Sequence, residues 1–181
     1  VVNGELLARR IELDDLALRG GLAADQVDVI EHGLGWSYTP DRIRAALHNR
    51  STNVAVIHAR GCLLAAGVMD YGDTSGHLVL LGVQRSQRRH GLGRHLLAWL
   101  EEVAVVAGLR AIRVEVRADN PVAVAFYRSQ GYDVRDRVSG YYRGMLDAVR
   151  MAKMLGVQPT PPSATPGRRS TPGPGSAFLG R

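Results

Sequence analysis

Arginine and glycine concentrate in residues 85–94, RSQRRHGLGR, directly before a segment of helical period, HLLAWLEEVAVV. A strand-like stretch, Leu78 to Val83, leads into this run, and Gly91 and Gly93 stand where a helix would open. Such a junction turns main-chain N–H groups, the positive end of a helix dipole and several guanidinium groups toward one point. That point suits phosphate, and best a diphosphate brought close to the backbone. No Gly-Lys-Ser/Thr follows, which excludes a Walker loop, and the third glycine of a dinucleotide fingerprint is missing. A Gly-x-Gly pair at a helix start also serves as a plain tight turn, so the run alone leaves both readings open. Elsewhere the chemistry is sparse. Cys62, beside a turn glycine, reads as structural, and no Ser-His-Asp order stands out. His77, His90 and His95 lack the spacing of metal ligands, so no metal site is expected.

A chain of 181 residues, 45% hydrophobic, suits one sizeable core, expected over residues 1–157. Residues 158–181 hold six of the eight prolines and no periodic apolar pattern, and read as a disordered extension. No apolar run approaches the ~18 residues of a membrane span, and the first residues lack the apolar region of a signal peptide. A single cysteine favours a reducing compartment, and a cytoplasmic protein is expected. The formal charge of +6 raises nucleic acid as a partner, yet its distribution argues otherwise. Arg168, Arg169 and Arg181 lie in the acid-free tail, while Arg85, Arg88, Arg89 and Arg94 surround the proposed phosphate loop. A compact basic cluster fits a small polyanion better than a long phosphodiester backbone, and no interleaved aromatics mark a stacking platform.

The elements that would position this loop alternate along the chain. Leu6 to Ile11 reads as a strand, Asp14 to Glu31 as a helix interrupted at Gly20-Gly21, and Thr39-Pro40 as the start of a short helix to His48. Val54 to Ala59 and Cys62 to Tyr71 form a hairpin over Arg60-Gly61, and His77 to Val83 is the next strand. Leu92 to Ala107 is an amphipathic helix burying Leu96, Trp99, Leu100 and Val103, ended by Gly108. Arg110 to Arg117 alternates, with Ile112, Val114 and Val116 on one face and Arg113, Glu115 and Arg117 on the other. Asn120-Pro121 supplies an N-cap and first-turn proline for a helix to Gln130, closed by Gly131. Tyr132 to Val138 and Met145 to Met154 follow as antiparallel neighbours. The order β-α-α-β-β-β-α-β-α-β-β predicts a mixed α/β sheet.

Two motifs now carry a family likeness. Arg88-Arg89-His90-Gly91-Leu92-Gly93 resembles the Arg/Gln-x-x-Gly-x-Gly pyrophosphate loop of the GCN5-related N-acetyltransferases (GNAT), which bind acetyl-CoA. Glu115 to Tyr132, EVRADNPVAVAFYRSQGY, resembles that family's pattern of Asn, small residues, Tyr and Gly-aromatic. Within the family the likeness is to RimI-type enzymes, which acetylate the N-terminal alanine of a small-subunit ribosomal protein. Their Glu-Val-Arg-Ala-x-Asn stands here as Glu115 to Asn120, and Tyr141, Tyr142, Asp147, Ala148 and Met151 resemble their closing segment. The stretch between Tyr142 and Asp147 is short for that subgroup, and the proline-rich tail is outside the pattern.

The resemblance implies the GNAT fold and acetyl transfer to an amine, by direct attack in a ternary complex. It assigns the pantetheine arm to main-chain groups of Leu81, Gly82 and Val83, and the diphosphate to Arg88, Arg89, His90, Gly91, Leu92, Gly93 and Arg94. Gly82 independently suggests a bulge or close approach where the sheet opens, or else a strand glycine tolerated for packing. Glu115 is the expected general base, kept ionised by neighbouring arginines; without the motif it would read as a solvated residue paired with Arg113 or Arg117. Tyr127 is the expected acid, although a phenol near pKa 10 yields a proton to a thiolate near 8.5 only uphill, by about two kcal/mol, so hydrogen bonding to the leaving sulfur describes it better. Its alternative is packing beside Phe126. Asn120 is expected both to cap and to touch the cofactor, and His77 is an alternative base. Trp36, Tyr38, Tyr141 and Tyr142 are expected to flank the acceptor entrance, or to serve as lids or core. The acceptor is expected to be a protein α-amine; a small amine such as a polyamine or antibiotic, or a lysine, is the alternative. A non-catalytic acyl-CoA-binding module is a more remote one.

Overall fold

The structure is a computed structural model that describes residues 9–10, 45–46, 48–59 and 62–156. Trp36, Tyr38, the expected helix Asp14 to Glu31 and the tail 158–181 lie outside the described residues. Residues 45, 46 and 48 are helical, where the short helix ending at His48 is predicted. The strands are β1 (Arg9–Arg10), β2 (Thr52–Ala59), β3 (Cys62–Tyr71), β4 (Ser75–Val83), β5 (Ala111–Arg117), β6 (Asp133–Tyr142) and β7 (Leu146–Met154). Helix α1 (Leu92–Val106) connects β4 to β5, and α2 (Pro121–Ser129) connects β5 to β6. Among the described residues no helix is long and apolar enough to cross a membrane.

The strands form one sheet in the order β1-β2-β3-β4-β5-β7-β6. β4 and β5 run parallel, as the α1 crossover between them requires, and the other neighbours are antiparallel. β7 inserts between β5 and β6, so the last two strands are antiparallel neighbours with the later one inside. One junction is incomplete. β4 pairs β5 only through Ser75–Ala111, Gly76–Ile112 and His77–Arg113, after which the strands part. Just beyond, the β3–β4 register shifts, with Val68 opposite Leu80 but Met69 opposite Leu78, so that Val79 is the extra residue of a bulge. The irregularity expected at Gly82 therefore sits three residues earlier. Gly82 itself pairs regularly with Ala66.

Strand alternation and helix period fill the core. Ile112, Val114 and Val116 turn to the face covered by α1, where Leu92, Leu96, Leu97, Leu100 and Ala104 are buried with Met69, Tyr132 and Met151. Trp99 and Val103, expected inside, are half-buried at the edge of that stripe. Val54, Val56, Leu63, Ala66, Val68 and Leu80 form a second apolar cluster, with Ala46 against it. α1 and α2 each end in a left-handed glycine. Gly108 N–H reaches Val105 O and Leu109 N–H reaches Ala104 O; Gly131 N–H reaches Arg128 O and Tyr132 N–H reaches Tyr127 O. These paired bonds are Schellman motifs, and the second brings Tyr132 against the Tyr127 ring at 5.4 Å.

Candidate active site

The segment expected to hold phosphate is a sharp turn into α1. A single 3₁₀ turn, Arg85–Gln87, is followed by Arg88 in extended conformation, Arg89 at φ 67° and Gly91 at φ 82°. Gly91 is the N-cap of α1, and it offers no side chain to the first-turn N–H groups, where no acidic residue stands either. A Cβ at Gly91 would meet nothing within 4 Å, so its glycine answers the backbone conformation and not crowding. Gly93 differs: a Cβ there would lie 3.4 Å from Val83 Cγ2 and 3.7 Å from Phe126 Cζ. The start of α1, the end of β4 and helix α2 thus meet at one place. Arg88, Arg89, His90 and Arg94 are exposed around it. Arg88 is partly committed, since its Nε donates to Val83 O at 3.2 Å.

Donor-facing backbone lies beside the loop. Gln84 N–H bonds Leu64 O of β3 at 2.9 Å. Antiparallel alternation then turns the polar groups of Gly82 toward β3 and those of Leu81 and Val83 away from it, toward the opening. β5 does not pair with them there. Uncapped N–H groups, flanking arginines and an unpaired strand segment are what a diphosphate with an extended amide-bearing arm requires, so these residues fit CoA.

Glu115 lies on the β5 face opposite the α1-covered core, its side chain 12% exposed. Its carboxylate Oε2 is hydrogen-bonded to Nε2 of His77 on β4. This bond chiefly holds the Glu115 carboxyl below the usual carboxylate range; burial opposes it, and Arg113 and Arg150 add smaller favourable charge. The neighbouring arginines expected to keep it ionised do contribute, but less than His77. Arg117 is bonded to Asp119, 2.8 Å from Nε, and Arg150 to Asp136, 2.6 Å from Nε. A glutamate and a histidine 38 residues apart give no local signal of pairing. Only the parallel β4–β5 junction makes them neighbours.

Tyr127 belongs to the opposite, helix-covered side and is only 7% exposed. Its ring meets Phe126 edge-on at 5.2 Å and Tyr132 at 5.4 Å. Burial raises its phenol well above the ordinary value, so the hydroxyl stays protonated. Asn120 is the N-cap of α2, its Oδ1 accepting from Ala123 N–H at 3.0 Å, with Pro121 following. Past His77, β4 and β5 no longer pair; Glu115 lies on one face of the sheet and Tyr127 is packed on the other.

Tyr141 and Tyr142 end β6. The Tyr142 hydroxyl donates to the main-chain oxygen of Glu115 at 3.1 Å, so this ring braces β5. Burial, with Tyr141 and Glu115 nearby, pushes it up to about 12. Tyr141 is 46% exposed and Met145 is 76% exposed, forming an apolar rim. Asp147 secures the rim. Its carboxylate accepts from Gly140 N–H and Arg137 Nε, both at 3.0 Å, and its carbonyl accepts from Ala118 N–H at 2.9 Å. Among the described residues no group of three or more His, Cys, Asp or Glu converges.

A mixed sheet opened beside the parallel β4–β5 pair, with an uncapped arginine-flanked helix start at the opening, defines an α/β fold whose opening suits a diphosphate. Residues 29–132 match the Acetyltransferase (GNAT) family, and the chain belongs to that family. An N-acetyltransferase of Methanocaldococcus jannaschii, named as uncharacterised, is 37% identical over 101 residues, 55% of this chain and 64% of its own length. The [ribosomal protein bS18]-alanine N-acetyltransferase of Escherichia coli K12 is 36% identical over 75 residues, 40% of this chain and 51% of its own. The matched stretches thus span about half to two-thirds of those relatives. The crystal structure of the E. coli ribosomal-protein-S18-alanine enzyme superposes with a TM-score of 0.69 at 23% identity, covering 82% of this chain and 93% of that one. Chaetomium thermophilum Naa20, in complex with a bisubstrate analogue, gives 0.68 at 23% identity over 83% and 87%. At that identity the likeness carries the fold.

Proposed function

We propose that this chain is an acetyl-CoA-dependent N-acetyltransferase acting by direct transfer to a primary amine, with a protein N-terminal α-amine as acceptor. One observation carries the reading: the β4–β5 opening has the diphosphate-fitting loop at its end and an ionised carboxylate, Glu115, on its other face. Bound acetyl-CoA supplies an acetyl group activated as a thioester. First-turn N–H groups of α1 with Arg88, Arg89, His90 and Arg94 hold the diphosphate, and main-chain groups of Leu81 and Val83 orient the arm. Glu115 receives the proton released from the attacking amine. Tyr127, protonated and buried, gives a hydrogen bond to the departing sulfur. Asn120 holds the first turn of α2 in place, and the Tyr141–Met145 rim receives the apolar part of the acceptor.

An α-amine with reference pKa about 8 is easier to deprotonate than a lysine amine near 10.4, by roughly 3 kcal/mol. A carboxylate held low is a weak base, and it suits the easier amine. The E. coli relative, named for ribosomal-protein alanine N-acetylation, supports the same choice. The test is a thiol-release screen offering peptides with free and blocked N-termini, lysine peptides and polyamines. Turnover restricted to free N-termini is expected. Turnover on blocked peptides or polyamines alone sinks the acceptor assignment, and no thiol release with any acceptor sinks the enzymatic one.

A further inference from the structure

Where β4 and β5 part, Glu115 keeps strand pairing only on its β7 side, opposite Arg150. Main-chain bonds between β4 and β5 stop at His77–Arg113, and Glu115 stands two residues past that point on β5. A glutamate there has three side-chain torsions to fix, and neighbouring charges alone do not fix them. Of the groups facing it, Arg113 on its own strand and Arg150 on β7 act as charges, while Tyr141 and Tyr142 of β6 lie close by. Arg150 is committed to Asp136, and the Tyr142 hydroxyl to the Glu115 main chain. Among the described residues, His77 is the one side chain hydrogen-bonded to the Glu115 carboxylate, and it holds a single oxygen, Oε2. His77 is itself placed firmly, as the last β4 residue paired with β5 and opposite Asp70 of β3.

We propose that His77 is a positioning residue for acetyl transfer, bonding Oε2 of Glu115 across the β4–β5 opening so that Oε1 faces the incoming amine. This rests on the base role assigned to Glu115. Nε2–H donates to the carboxylate and stays on the ring; the proton leaving the amine nitrogen goes to Oε1, and no further reactant enters. Imidazole suits the task because it donates even when neutral, and so can orient the carboxylate without an ion pair.

The experiment compares thiol release with a free-N-terminus peptide for the wild type, His77→Ala, His77→Gln, Glu115→Gln and the His77→Ala/Glu115→Gln pair, across pH. His77→Ala is expected to lower kcat about tenfold, the scale of one hydrogen bond to a charged group, while KM for acetyl-CoA holds. Its acid limb moves to higher pH, because the chief influence holding Glu115 low is gone. His77→Gln, which keeps an N–H donor, recovers several-fold. In the Glu115→Gln background His77→Ala adds no further loss, as expected of a residue acting through another. Normal kcat with an unmoved acid limb in His77→Ala, beside an impaired Glu115→Gln, overturns the positioning role alone. Full turnover in Glu115→Gln overturns the base assignment and this role with it. If His77→Ala fails to fold, the acid limb of His77→Gln decides. Carbon NMR titration of the Glu115 carboxyl, which needs no turnover, should move upward without His77; an unchanged titration refutes the bond.

Discussion

Glu115 and Tyr127 show how environment divides two roles between two ordinary side chains. The His77 bond stabilises the charged form of one, and burial stabilises the neutral form of the other. A carboxylate that is ionised and a phenol that is protonated are the states the proposed reaction needs, one to receive a proton and the other to donate a hydrogen bond. Replacing Tyr127 by Phe removes only the hydroxyl and keeps the edge-on contacts with Phe126 and Tyr132. Steady-state kinetics of Tyr127→Phe should show kcat lower by about a hundredfold, the low end for a positioned acid, with KM for acetyl-CoA nearly unchanged. An unimpaired variant would reduce Tyr127 to a packing residue. Both positions were legible in the sequence, through the strand alternation around Glu115 and the helix following Asn120-Pro121. The His77 partnership was not, because nothing in local spacing joins residues on β4 and β5.

The helix starts and strand ends set where those groups act. α1 begins without a side-chain cap, and in the proposed function its open N–H groups receive the diphosphate, so helix stability would be traded for binding there. At Gly91, φ 82° suits glycine, and Gly91→Ala should cost about 1–2 kcal/mol from the left-handed backbone, with a raised KM for acetyl-CoA. Thermal melting and kinetics check the two parts, and an unchanged KM would remove the loop from the donor site. Helix α1 in turn lies tightly on β3. A Cβ on Gly67 would come 2.8 Å from Leu100 Cδ1, and Leu100 is fully buried. Gly67→Val should therefore destabilise the fold by about 1–3 kcal/mol, read from denaturant midpoints. At the far end of α2, the Schellman turn at Gly131 presses Tyr132 on Tyr127 and so fixes the phenol. The sequence announced that stop through Gly131, but not the ring contact it produces.

Two buried phenols and a half-buried one link the fold to pH. Burial is the first cause raising Tyr127, Tyr132 and Tyr142 above the ordinary value. A raised folded pKa means the folded chain keeps the proton where the unfolded chain loses it. Their contribution is therefore complete below about pH 10 and is lost as pH rises beyond it. Urea melts at pH 8 and pH 11 should show a lower midpoint at the higher pH, with the difference reduced in Tyr132→Phe. A flat midpoint would contradict this. At the acid end the sign reverses. Glu115, held low, contributes above about pH 4.5 and loses that contribution as pH falls through its folded value.

The sequence by itself determined the local and periodic parts of this protein: the strands, the two well-marked helices with their caps and stops, and the glycine-bearing turn at Arg88–Gly93 that opens α1. Those are written in spacings of a few residues, where backbone conformation and apolar period act directly. Only the tertiary structure decided that β7 lies between β5 and β6, that the sheet opens past His77 after a bulge at Val79, and that His77 holds Glu115. Each depends on which strands become neighbours, and that is settled by burying the faces of the whole sheet together.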